Sequence, residues 1–229
     1  MQSAQKQGLF LTFEGLDGSG KTTQLRLLGE FLDSWNLPWI SVRQPGGTSI
    51  GDKIRALLLD SKSAGMAPMT ELAMMFADRA QVIQEIIAPA LAAGKIVVCD
   101  RFTDSTEAYQ GGGRQLGSEI VLDLHSRLCG NLQPDLTILL LPPIEKSLAR
   151  ARRRNTTTQA QTGRDEGRFE AEQDAFFRRV EAKFREIAHR EHFRVESLDG
   201  DLHISEVAAR IQKRVELLLR EKGHLSQGN

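Results

Sequence analysis

The sequence predicts an α/β protein, a five-stranded parallel sheet with helices on both faces, and three observations predict it. Short apolar runs near 9–14, 39–43, 96–100, 136–141 and 192–196 alternate with longer segments whose apolar residues recur at helical spacing. The first run leads into Gly15-Leu16-Asp17-Gly18-Ser19-Gly20-Lys21-Thr22, and Thr23 continues into a helix. That is the strand-loop-helix context in which G-x-x-x-x-G-K-[ST] cradles phosphates. The third run ends on Asp100, a carboxylate at the C-terminal edge of a strand, where open α/β sheets collect their ligands.

In chain order, 22–35 carries apolar residues at 25, 27, 28, 31, 32 and 35 and reads as a helix. Trp39 to Val42 is a strand ended by Pro45-Gly46-Gly47, and 50–59 is a helix that Thr48 or Ser49 can cap. The segment 70–93 is the longest periodic stretch; Thr70 is its candidate cap, Gly94 its stop, and Pro89 predicts a kink or restart. Ile96 to Cys99 is a buried strand. Gly111-Gly112-Gly113 is expected to interrupt the following segment and to fold the chain around a ligand, before a helix over 116–128. Leu136 to Leu141 is a strand cut off by Pro142-Pro143. A basic helix over 144–154, a polar loop over 155–167, a helix over 169–189, a thin strand at 193–195 and a closing helix over 204–219 complete the chain.

A chain of 229 residues can bury one full core, and no linker divides it, so 1–229 reads as a single domain. Thirty Lys and Arg balance thirty Asp and Glu, which gives no global basic excess to suggest a nucleic-acid partner. Cys99 and Cys129 are far apart, without metal spacing, and read as core thiols of a reducing compartment. Residues 1–8 lack the apolar region of a signal peptide, and no run is long enough to span a bilayer, so a cytoplasmic protein without membrane attachment is expected.

The phosphate loop points to a nucleoside triphosphate. Its glycines turn N–H groups toward phosphate oxygens, Lys21 would bridge the outer phosphates, and Thr22 would place its hydroxyl on Mg²⁺. Three further clusters are candidates for a second substrate. Arg43-Gln44-Pro45-Gly46-Gly47-Thr48 lies at a strand edge, where the Arg43 fork suits a phosphate, although a plain strand-to-helix turn has the same composition. Phe76 and Arg79 share a helix face, so a planar ligand could stack on the ring while the guanidinium donates to its edge; Phe76 equally belongs to a core stripe. Asp100-Arg101, with Ser105, Tyr109, Gln110 and Arg114, combines a carboxylate for Mg²⁺ or its waters with an arginine that is costly to bury without an anion. Between 145 and 170, arginines at 150, 152, 153, 154, 164 and 168 flank the polar loop, the composition of a lid that carries positive charge to a transferring phosphoryl group. A solvated basic helix with a disordered loop would look the same.

Taken together, FEGLDGSGKTTQ, VRQPGGT, MMFADRAQ, CDRFTDSTEAYQGGGR and RFEAEQDAFFRRV resemble the thymidylate kinase family over about residues 8–220. The phosphate loop is shared with many families, but DRF followed by S-x-x-x-YQGGGR is specific. The resemblance implies a P-loop NTPase fold and transfer of the ATP γ-phosphoryl to dTMP. It implies that Phe76 stacks on thymine, Arg79 donates to its O4, Arg43 and Arg101 clamp the monophosphate, Ser105 and Gln110 line the base and sugar, and Tyr109 disfavours a ribose 2′-OH. Asp17 joins the substrate contacts, and Asp17, Thr22 and Asp100 form the Mg²⁺ environment. The bacterial branch supplies catalytic arginine from the lid, which agrees with a phosphate loop that has Ser19 and no arginine; Lys21, Arg101, Arg153 and Arg168 are then the catalytic candidates. Two positions depart from the family pattern: Gln44 replaces the usual acidic residue before Pro-Gly-Gly, and Gly167-Arg168 replaces an Asp-Arg pair. The family is typically homodimeric, and Met66, Met69, Met74 and Met75 near the start of the long helix fit a symmetric dimer face. A different nucleoside monophosphate kinase, or a P-loop ATPase acting as a motor or switch, would share the loop but not the thymine-directed cluster.

Overall fold

The computed structural model describes residues 7–162, 166–169 and 171–226. Five strands, β1 (Leu9–Glu14), β2 (Trp39–Arg43), β3 (Ile96–Asp100), β4 (Leu136–Leu140) and β5 (Val195–Leu198), form one parallel sheet in the order β2-β3-β1-β4-β5. Strands β1 and β4 are buried along their whole length, which explains why their sequences are apolar runs without alternation. The register sets Phe13 and Arg43 opposite Asp100, so the C-terminal ends of β1, β2 and β3 meet at one edge and deliver Glu14, Arg43 and Asp100 there.

Helices α1 (Lys21–Ser34) and α9 (Ile204–Glu221) cover one face; Leu28 and Leu32 meet Val207, Ile211 and Val215 over β1, β3 and β4. The other face carries α2 (Ser49–Leu59), α3 (Pro68–Val82), and α8 (Asp174–Arg190) with its stripe of Phe176, Phe177, Val180, Phe184 and Ile187. Burying each of those phenylalanines contributes roughly 1.5–3 kcal/mol. Thr48 caps α2 by accepting from the Gly51 N–H at 2.9 Å.

The long helix begins at Pro68, with Ala67 in the capping position in place of the expected Thr70, because proline suits a first turn. It then passes through a π-helical turn at Ile83–Ile87 into α4 (Ala88–Ala92), so the break that Pro89 predicts falls where the proline starts a new first turn. Gly94, at φ +75°, ends it. The triple glycine does not interrupt its segment. Helix α5 (Thr103–Thr106) runs directly into a π-helical turn over Glu107–Gly113, ahead of α6 (Ser118–Cys129). A Cβ on Gly112 would stand 2.7 Å from Lys183 Cβ, and one on Gly113 2.5 Å from Phe176 Cε2. The glycines therefore let α8 approach the turn closely.

Helix α7 (Ile144–Thr162) extends well into the stretch expected to be loop. Within it, the Thr156 and Thr157 hydroxyls bond back to the Arg152 and Arg153 carbonyls, so these polar side chains find partners on the helix itself. The last strand starts at Val195, because the Arg194 N–H turns back to the Glu191 carbonyl and leaves Phe193 outside, 69 % exposed.

Candidate active site

Three glycines of the phosphate loop, Gly15, Gly18 and Gly20, have φ of +130°, +78° and +101°, a path open to few other residues. Beneath the loop, Gly15 and Leu16 are buried, and Lys21 Nζ donates to their carbonyls at 3.0 and 2.9 Å. Burial, and then the Arg101 charge, push the Lys21 pKa down to about 8. Helix α7 crosses directly over the loop: a Cβ on Gly18 would stand 2.1 Å from the Ser147 carbonyl and 3.0 Å from Arg150 Cβ.

One cleft of about 870 Å³ opens from this loop. Asp17 through Thr23 line one end, and Arg43, Gln44, Arg79, Asp100, Arg101 and Gln110 line the rest, with Ser105 and Tyr109 between them. Arg101 is central. Its backbone takes the left-handed region at φ +70°, pinned by its N–H donating to the Phe13 carbonyl at 2.9 Å; that conformation costs roughly 1 kcal/mol. Its guanidinium pairs with Asp17 at 3.0 Å, donates to Ser105 Oγ at 2.9 Å and to the Tyr109 hydroxyl at 3.3 Å, and lies over the Tyr109 ring. Burial opposes its charge, but Asp17, Tyr109, Asp100 and Glu14 hold its pKa well above the usual value.

Glu14, which sequence reasoning missed, supports this arrangement from below. Fully buried at the end of β1, it accepts from the Phe102 N–H at 2.7 Å and from the Ser105 hydroxyl. Burial, and then Asp104, raise its pKa to about 7.

The inner end of the cleft holds a set of incompletely bonded polar groups. Arg79, 3 % exposed, donates Nε to Gln44 Oε1 at 3.0 Å and Nη2 to Thr106 Oγ1 and the Phe102 carbonyl. Its Nη1, Gln44 Nε2 and Gln110 Oε1 are buried without a hydrogen-bond partner among the described residues. Burial lowers the Arg79 pKa. Gln110 is oriented by Glu71, a fully buried carboxylate that accepts from Gln110 Nε2 at 2.7 Å.

Three sequence-predicted residues lie elsewhere. Phe76 is 0 % exposed and packs with Leu72, Val121 and Cys129. It is Met75, one residue earlier and sharing a face with Arg79 at i,i+4, that reaches the cleft, since one helical step of about 100° separates cavity from core. Arg168 is 4 % exposed and turned inward: Nη1 pairs with Glu71 Oε2 at 2.7 Å, while Nε meets the Leu58 carbonyl. It ties the segment that follows α7 to the Leu59 carbonyl and Glu71. Arg153 is exposed on α7, away from the cleft, and Arg152 lies beside Glu145 and Asp174 at another surface. The arginine of this segment that does line the cleft is Arg150, on α7. Arg164, Asp165 and Glu170 lie outside the described residues.

A divalent ion was expected on Asp17, Thr22 and Asp100. Asp100 Oδ1 is buried without a hydrogen-bond partner among the described residues, and Thr22 stands exposed at the loop, whereas the Asp17 carboxylate is on Arg101. Among the described residues there is no cluster of three His, Cys, Asp or Glu side chains able to hold a metal. This donor set fits Mg²⁺, which takes one or two protein oxygens and completes its shell with phosphate oxygens and water.

Comparison with known proteins gives one family. The thymidylate kinase family model matches residues 13–211. A thymidylate kinase of Pelobacter propionicus is 46 % identical over 208 residues, covering 91 % of this chain and 94 % of the relative. One of Desulfovibrio desulfuricans is 41 % identical over 215 residues, covering 94 % and 98 %. Among solved structures, a crystal structure of thymidylate kinase from Ehrlichia chaffeensis superposes with a TM-score of 0.72 at 31 % identity, covering 92 % of this chain and 99 % of that one.

Proposed function

The chain belongs to the thymidylate kinase family, it phosphorylates dTMP with ATP to give dTDP, and from that premise we propose how its residues divide the work. The observation that carries the proposal is a cleft lined by the phosphate loop, by Arg43 and Arg101, and by the polar groups of Arg79 and Gln110. Two substrates laid end to end there would bring the acceptor phosphate in line with the γ-phosphoryl group, and an ionised phosphate needs no strong general base.

Residues Gly15 to Thr23 would cradle the ATP phosphates, and Lys21 would exchange its two carbonyl partners for phosphate oxygens. Arg101 and Arg43 would hold the acceptor phosphate, with Ser105 and Tyr109 fixing the Arg101 fork. In the recess, thymine offers an acceptor, O4, beside a donor, N3–H. Arg79 Nη1 and Gln110 Oε1 are the complementary donor and acceptor, whereas cytosine would present the reversed pattern. Met75 takes the stacking position in place of Phe76. We assign the transferring arginine to Arg150. Thr22 and Asp100 would hold Mg²⁺, which when bound neutralises charge developing on the β- and γ-phosphoryl oxygens.

The chain would work as one domain with 145–170 as its lid. Ile50 and Leu57 on α2, 51 % and 57 % exposed, and Met69 at the start of α3, 49 % exposed, supply the apolar face for a symmetric homodimer. Light scattering that gave only a 25.5 kDa species at micromolar concentration would count against the dimer. No helix among the described residues is long and apolar enough to cross a membrane. Buried thiols at Cys99 and Cys129 suit the reducing cytoplasm proposed for it. A coupled ADP-release assay across dTMP, dCMP, AMP and GMP tests the base assignment: turnover should be far faster with dTMP, and equal rates with dCMP would refute the reading of Arg79 and Gln110.

A further inference from the structure

At the mouth of the cleft, Arg55 of α2 and Glu166 of the lid segment form a two-pronged pair, Nη2 to Oε2 at 2.7 Å and Nε to Oε1 at 3.3 Å. A third donor, Nη1, holds the Pro45 carbonyl at 3.0 Å. Arg43 is its neighbour across Gly46: a Cβ on that glycine would stand 3.2 Å from Arg55 Cδ and 3.8 Å from Arg43 Nη2. Two arginine side chains this near to one another, lining one cleft, favour an anion between them. Burial and then Arg55 push the Arg43 pKa down, while Glu166 and Asp52 oppose that shift. All three side chains line the same cleft as Arg101.

We propose that Glu166 is a resident carboxylate in an anion cradle formed by Arg43 and Arg55, and that the acceptor phosphate displaces it, taking Arg55 as a further phosphate-binding residue. The proposal rests on dTMP as the acceptor. A phosphate carries more charge and one more acceptor oxygen than a carboxylate, so it wins the two forks. The exchange does not unseat the segment behind it, because Arg168 keeps its N–H on the Leu59 carbonyl and its guanidinium on Glu71. Occupation by Glu166 lowers apparent affinity by the fraction of time the cradle is closed. With the Glu166 side chain 33 % exposed, screening limits that effect to about 3- to 10-fold.

The test is calorimetric binding of dTMP and of thymidine, which lacks the phosphate, to the full chain and to Glu166→Gln, Arg55→Gln and the double variant. Glu166→Gln should bind dTMP about 3- to 10-fold tighter with thymidine unchanged. Arg55→Gln should bind dTMP on the order of 10-fold more weakly, again with thymidine unchanged, and should abolish the gain from Glu166→Gln. Weaker or unaltered dTMP binding in Glu166→Gln, parallel changes for thymidine, or independent effects in the double variant would overturn the proposal. Wild-type protein that bound neither nucleoside nor nucleotide would instead overturn the dTMP assignment. Inorganic phosphate titrated against the same four proteins then still decides the cradle, by whether Glu166→Gln binds it more tightly and only when Arg55 is present.

Discussion

Glu14 makes stability depend on pH in an unusual direction for a carboxylate. Its pKa rises on folding from 4.5 to about 7, chiefly through burial. The folded state therefore binds this proton more tightly than the unfolded state. The resulting contribution is fully present below pH 4.5 and is lost as pH rises through 7. At about 1.4 kcal/mol per unit, the loss is roughly 3 kcal/mol by pH 8. Glu14→Gln removes the titration while keeping the shape: the Phe102 N–H retains an oxygen to donate to, and the new amide can donate to Ser105 Oγ. Thermal melts of both proteins between pH 5 and pH 8 check this. At pH 5 the variant should lead by only about 1–3 °C, and by pH 8 by about 6–12 °C, at some 2–4 °C per kcal/mol for a chain of this size. Parallel curves for wild type and variant across that range would refute the assignment of the shifted carboxyl to Glu14.

Arg150→Ala should lower kcat on the order of 10²-fold while leaving dTMP affinity nearly unchanged, because its charge would be felt mainly in the transition state; single-turnover kinetics with separate binding measurements check it. Arg168→Ala should instead destabilise the fold by about 3 kcal/mol in chemical denaturation, leaving Glu71 buried with Arg114 as its remaining ion-pair partner among the described residues. Met75→Ala should raise the KM for dTMP several-fold, whereas Phe76→Leu should cost about 1 kcal/mol of stability with KM unchanged; steady-state kinetics paired with melts separate the two. Gly113→Ala should destabilise by about 1–3 kcal/mol, since the added methyl would meet Phe176 and Val180 at 2.5–2.9 Å; urea unfolding measures it.

What was legible in the sequence is local. The strand-loop-helix at 9–34, the Asp100 strand end and the Thr48 cap each depend on residues within a few positions of one another, and all stand where their spacing puts them. The misreadings concern side chains whose role is set by distant partners. Arg168 looks like any lid arginine until Glu71, 97 residues away, draws it inward. Arg55 and Glu166 are separated by 111 residues, and nothing in either neighbourhood announces the pair. Met75 and Phe76 both fit the apolar stripe of α3, and only packing against Val121 and Cys129 decides which one turns away from the cleft. Glu14 follows the apolar run directly, and the Phe102 and Ser105 groups that give it a role lie 88 and 91 residues away.

The seam between the π-helical turn and α8 bears on any attempt to re-engineer selectivity. Tyr109 and Gln110 are natural targets for a library, yet the three positions that follow are closed to added volume by Gly117, Lys183 and Phe176. A randomised window running past residue 110 would fill with variants lost to misfolding and be mistaken for intolerance of new substrates. Pairing changes at 113 with a smaller residue at 176 would open that position to search, and would tie the evolvability of the nucleotide recess to a helix that lines no part of the cleft.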